Sequence, residues 1–199
     1  MIYVVTTVVL IFCSSILFIP KLKQFTHRNE LASNFVLTLV ATLIGVLLAI
    51  AISNYDANEK EREDLIKLLY AAEAVVQESQ DYSILLLDHY QERFSDGVSK
   101  EVKSTFFDKN PLVYPEYLDA LMSQHIFIKN LSQESLTELS ERLIVMKRAK
   151  SIMPEQFIKS TSYVLYILEQ ERRYQQGEIT LIELEVLLDL KEDEIDARP

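Results

Sequence analysis

The chain has 199 residues, enough for one ordinary domain and an anchor but not for two full domains, and its 20 Lys and Arg stand against 30 Asp and Glu for a net charge of −10. That acidic balance excludes a general attraction to duplex nucleic acid or anionic lipid, both of which need a broad basic face. Cys13 is the one cysteine and there are three glycines, so the soluble part cannot hold a disulfide, as fits a reducing compartment, and a phosphate-cradling glycine loop has no material.

Residues 1–53 hold four charged side chains, Lys21, Lys23, Arg28 and Glu30, whereas residues 54–199 hold 17 basic and 29 acidic ones, a net of −12. This is a chain written for two solvents. Residues 1–19 and 32–53 carry no charge, and each stretch reaches the roughly 20 apolar residues that a helix needs to cross hydrocarbon. The first lacks a basic leader and a small-x-small cleavage site before Pro20, which favours an anchor over a cleaved signal peptide. Residues 20–30 are too few to do anything but turn the chain back. The predicted architecture is therefore an antiparallel transmembrane hairpin over residues 1–53, with spans at about 1–19 and 31–53 and both chain ends on one side. Ala41, Gly45 and Ala49 recur every fourth residue along the second span, the small-residue ridge that lets another membrane helix approach closely; such residues are also common in any span. Lys21, Lys23 and Arg28 in the linker nearly balance Lys60, Arg62 and Lys67 beyond the second span; the near tie leans slightly toward a cytoplasmic linker, a lean that is weakly overridden here in favour of a cytoplasmic soluble domain.

Residues 54–199 read as an all-α soluble domain of five or six helices with an acidic C-terminal end. Between 56 and 94 there is no Gly or Pro, and Leu65, Leu68, Leu69, Ala72, Val75 and Val76 recur with helical period, predicting a long juxtamembrane helix. Ser95-Asp96-Gly97 breaks it. Asn110-Pro111 and Tyr114-Pro115 punctuate an irregular stretch that opens a helix of about 15 residues ending near Asn130. Ser132 or Ser135 caps the next helix, with Glu138 placed to complete a capping box with Ser135. Pro154 suits a first helical turn, Gly177 an exit, and Thr180 with Glu183 a second capping box for a final amphipathic helix. From Gly177 onward eight acids face two bases, a frayed acidic end or, secondarily, a partner-binding peptide.

The chemistry-bearing residues form no nucleophile and base pair, so the chain reads as a non-enzyme with no catalytic residue, no cofactor and no metal. Asp88, His89 and Glu92 share one helical turn and His125 could join them as ligands, but a solvated helix face explains that spacing better. One region departs from the acidic background: residues 142–173 hold seven bases (Arg142, Lys147, Arg148, Lys150, Lys159, Arg172, Arg173) against three acids. On the helix that Pro154 opens, Lys159, Tyr163, Tyr166, Gln170 and Arg173 fall on one stripe, and cations mixed with tyrosines can contact phosphates and stack bases. The opposite stripe, Phe157, Ile158, Thr161, Val164, Leu165 and Leu168, is the ordinary core face. Lys147, Arg148 and Lys150 end the preceding helix, where the macrodipole favours cations whether or not they bind anything. The candidate anion site is thus Arg142, Lys147, Arg148, Lys150, Lys159, Tyr163, Tyr166, Gln170 and Arg173, with plain charged surface as the alternative.

The junction 44–50, Ile-Gly-Val-Leu-Leu-Ala-Ile, followed by Asn54-Tyr55-Asp56 and the charged run 58–64, looks like one recurrent in small bacterial membrane proteins. In whole-chain organisation, two short spans and a compact helical domain, the chain is similar to membrane effectors of prokaryotic antiviral defence. Its organisation most resembles the membrane protein of type III CRISPR systems that responds to cyclic tetra-adenylate. That resemblance implies a multi-pass protein of the inner (plasma) membrane whose cytoplasmic domain oligomerises, binds a cyclic oligoadenylate and perturbs the membrane. The competing expectation is a membrane-tethered helical scaffold for a protein partner.

Overall fold

The computed structural model describes residues 30–94, 100–150 and 153–196, and every regular element among them is a helix. There are seven: α1 Glu30–Arg93, α2 Lys100–Lys109, α3 Tyr117–Met122, α4 His125–Asn130, α5 Gln133–Ala149, α6 Pro154–Gln176 and α7 Leu181–Asp196. The first expected span and most of the linker, residues 1–29, lie outside the described residues; the second lies within α1.

The chain divides into two units between Lys60 and Glu61. In the first, α1 carries a segment long and apolar enough to cross a membrane, with none of its most apolar window buried by the protein. Thr38 and Thr42 return their hydroxyls to the carbonyls four residues back, Asn34 O (2.9 Å) and Thr38 O (2.8 Å). These two hydroxyls then need no external partner. Ala41, Gly45 and Ala49 are all exposed along it, and a Cβ built on Gly45 would meet nothing within 4 Å.

In the second unit the later part of α1 buries Leu65, Leu69, Ala72 and Val76, one stripe at helical spacing, against a core that includes Phe107, Leu118, Leu121, Phe127, Phe157 and Ile167. The central element is α6. Phe157, Thr161, Val164 and Leu168 are buried, and so are Tyr163, Ile167, Gln170, Glu171 and Gln175, because α5 and α7 both pack on it while Arg172 and Gln175 tie it to α1 through Glu73 and Arg62. A helix enclosed from several sides loses the polar stripe expected of a surface helix.

Local chemistry sets most boundaries. Ser132 Oγ accepts the Ser135 N–H (3.2 Å) and caps α5; Glu138 instead turns toward Arg142, so the box expected at Ser135 and Glu138 does not form. Pro154 opens α6 and Gly177, at φ 76°, closes it, with the Gly177 and Glu178 N–H groups returning to Tyr174 O and Arg173 O (both 2.9 Å). The Thr180 and Glu183 box does form, with Thr180 N–H to Glu183 Oε2 at 2.7 Å and Glu183 N–H to Thr180 Oγ1 at 3.3 Å.

Two differences from the sequence reading have physical causes. The helix expected to end near Asn130 is two, α3 and α4, separated by an extended Gln124. In one continuous helix Phe127 would lie about 180° from Leu118, nine residues earlier, yet both are buried; the break turns Phe127 inward. α2, over a stretch read as irregular, is pinned by Phe106 and Phe107, whose rings lie 5.2 and 5.5 Å from that of Tyr90.

Candidate functional site

Five of the nine predicted ligand residues come together where α5 and α6 meet α7 and the turn before it, and α7 reaches three of them, Arg142, Tyr163 and Tyr166. Leu184 and Leu188 are buried there, and α7 brings its backbone and acids to the stripe. Tyr163, fully enclosed, donates to Leu188 O (3.2 Å), and Tyr166 donates to Leu187 O (3.4 Å) with the Lys191 ammonium 5.7 Å from its ring. Arg142 pairs with Glu192 (2.7 Å), sits 4.0 Å from Glu138, and stacks 4.7 Å from the Tyr163 ring. Arg173 donates to buried Gln170 Oε1 (2.7 Å) and to Glu178 at 3.4 Å, just beyond the C-terminus of α6.

The enclosure shows in the proton affinities. Burial, followed by the charges of Glu138 and Glu192, pushes the Tyr163 hydroxyl well above the ordinary phenol range. Burial and then Glu192 raise the Glu138 carboxyl, opposed by Tyr163 and Arg142. Cations and phenols thus line this interface, with carboxylates and helix carbonyls as their partners.

The other four lie elsewhere. Lys147 pairs with Asp119 (2.8 Å) and lies over the Tyr114 ring at 5.3 Å, where Tyr114 donates to the same Asp119 (2.9 Å) and its hydroxyl is pushed well up, by burial and then by that bond. Arg148, Lys150 and Lys159 are exposed. Asp88, Glu92 and His125 are exposed too, His89 lies 6.3 Å from the Phe106 ring, and no group of three or more His, Cys, Asp or Glu among the described residues is placed to hold a metal.

Sequence reasoning missed that Glu178, Lys191 and Glu192 belong to this interface. The signal was available: Leu184 and Leu188 demand a face to bury against, and the Tyr163 and Tyr166 stripe was the unassigned face of a neighbouring helix. It also passed over Arg172, which bonds Glu73 (2.7 Å), stacks 4.5 Å from Tyr70 and donates to Gln176 (3.1 Å), closing one side of an open groove lined by Gln77, Leu165 and Glu169.

Comparison with models of protein families, with curated proteins and with solved structures finds no match for this chain in any of the three.

Proposed function

We propose that this is a membrane-tethered helical protein that works by association, with residues 54–199 acting as a scaffold for a protein partner on the cytoplasmic side of the inner membrane. What carries the reading is the occupancy of the cationic stripe: Arg142, Tyr163, Tyr166 and Arg173 already hold intramolecular partners. The apolar segment supports the tether, and the same helix that bears it supplies Leu65, Leu69, Ala72 and Val76 to the domain core. The two-span hairpin belongs to this proposal, as does close packing between copies along Ala41, Gly45 and Ala49. The test is extraction of the full chain with alkaline carbonate and accessibility of tags at its two ends. Retention in the membrane with both tags on one face is expected; release into the aqueous fraction, or tags on opposite faces, overturns the anchor.

A second reading keeps the resemblance to antiviral effectors: an oligomeric protein that binds a cyclic oligoadenylate and perturbs the membrane. One observation favours it. The partners of Arg142 and Arg173 are carboxylates, Glu192 and Glu178, and a phosphate can replace a carboxylate on a guanidinium. Labelled cyclic tetra-adenylate is titrated against the full chain in detergent, with Arg142→Glu plus Arg173→Glu as the comparison. Absence of binding by the parent at micromolar ligand removes this reading; binding that survives the double change moves the ligand off this stripe.

A further inference from the structure

Three helices meet at one phenol. Tyr163 of α6, fully enclosed, donates to Leu188 O of α7 at 3.2 Å, and the same hydroxyl is hydrogen-bonded to the Glu138 carboxyl of α5. A phenol carries a single hydrogen. Against an ionised Glu138, a carboxylate and a helix carbonyl therefore compete for it. The carboxylate is the better acceptor, since hydrogen bonds to an ionised group are about twice as strong as neutral ones. A protonated Glu138 reverses the arrangement. Its own O–H donates to the phenol oxygen, and the phenol hydrogen is left for Leu188 O.

The surroundings favour that proton. The Glu138 and Arg142 side chains are 19 % and 13 % exposed, and their ion pair stretches to 4.0 Å while Arg142 holds Glu192 of α7 at 2.7 Å. Glu138 Oε2 is enclosed and accepts no hydrogen bond among the described residues. One guanidinium thus faces two carboxylates, and the cluster keeps an excess negative charge largely out of water. Other charged groups on these faces are mostly acids. Glu141 on α5 adds to the repulsion, Glu134, one turn before Glu138, and Glu185, on the Leu188 side of α7, are half-buried, and Asp189 is exposed. Of the cations, Lys191 is paired with Glu194 at 2.7 Å, and Lys159 is exposed one turn before Tyr163.

We propose that Glu138 is a proton-operated latch on α7: protonated, it frees the Tyr163 hydrogen for Leu188 O and holds the helix down; ionised, it draws that hydrogen bond to itself and loosens the helix. Burial, and then Glu192, raises the Glu138 carboxyl above the ordinary 4.5. A carboxyl raised in the folded state stabilises it fully below the ordinary value and loses that contribution as pH rises through the folded one. The latch therefore closes in acid and slackens toward neutral pH. Glu183, whose carboxyl is lowered, titrates below this window. The latch rests on neither functional reading: it sets how firmly α7 lies on Arg142, Tyr163 and Tyr166, whatever those residues serve.

The experiment is hydrogen exchange of the α7 amides in the full chain in detergent, corrected for the intrinsic pH dependence of exchange, between about pH 4.5 and pH 8. Glu138→Gln, whose amide donates to the phenol at every pH, is the reference for a closed latch. The opening constant of α7 in the parent, relative to this variant, is expected to rise by about tenfold per pH unit over the range in which opening releases the Glu138 proton. Tyr163→Phe keeps the ring but removes the relay, and is expected to flatten that rise. A ratio that is constant or falls with pH overturns the proposal, and so does a Tyr163→Phe protein with the full pH response of the parent. Should Glu138→Gln lose helical signal, the parent decides alone: corrected α7 exchange that does not increase across the window overturns the latch.

Discussion

Glu171 is fully enclosed, the one charged side chain so placed among the buried polar residues described. Its carboxylate accepts the Ser132 N–H (3.2 Å), the Ser132 hydroxyl (2.7 Å) and the Gln175 amide (2.8 Å). Ser132 is the N-cap of α5, so the charge also sits at the favourable end of that helix. Glu171→Ala strands these donors in a space too tight for free solvation, at about 1–3 kcal/mol for each one left unsatisfied. Removing the desolvated carboxylate offsets part of that. A net loss of about 3 kcal/mol lowers Tm by about 10 °C in a domain of this size. Glu171→Gln falls between, since its amide oxygen accepts one donor while its NH2 group confronts another. Thermal unfolding of the full chain in detergent, followed by far-ultraviolet circular dichroism, measures both. An alanine variant melting within about 2 °C of the parent refutes the reasoning, as does a glutamine variant that equals the parent.

Gly177→Ala is expected to cost about 1 kcal/mol in the same assay through backbone strain alone, because the added Cβ meets only Arg62 Nη2 at an ordinary 3.5 Å; Gly177→Asn should recover part of it. Leu188→Ala, at a position 2 % exposed, should cost about 2–5 kcal/mol and make α7 a site of limited proteolysis. The Thr180 N–H and hydroxyl hold the Glu183 carboxyl below its usual 4.5. A depressed carboxyl stabilises the fold fully above the unfolded value and loses that contribution as pH falls through the folded one. The Tm difference between parent and Glu183→Ala should therefore be constant near neutral pH and shrink below about pH 4.5; a difference that does not change with pH rejects this cap as the cause.

What could be read from the sequence was what short-range chemistry decides. Pro154, Gly177 and the Thr180 and Glu183 box act within one turn of their own helices and stand where expected. The split between α3 and α4 could not be read, because only the core, by drawing in both Leu118 and Phe127, requires it. The α6 stripe shows the same limit at the candidate site. Its residue types and spacing were plain, but a tyrosine under solvent and a tyrosine under a neighbouring helix are spelled alike. Tyr163 is buried where α7 returns to lie on it, a fact of tertiary arrangement.

The bonds that hold α1 in the domain reach far along the chain: Glu61 to Lys129, Glu73 to Arg172, and Arg62 to Gln175, the last across 113 positions. During synthesis the Leu65, Leu69 and Val76 stripe leaves the ribosome before the core that covers it: Phe107, Leu118 and Phe127 follow first, and α6 completes the cover only after about 100 more residues, roughly 5–20 s at ordinary elongation rates. The nascent chain thus passes through an interval in which this apolar stripe is only partly covered, and its yield in the cell depends on what shields it in the meantime.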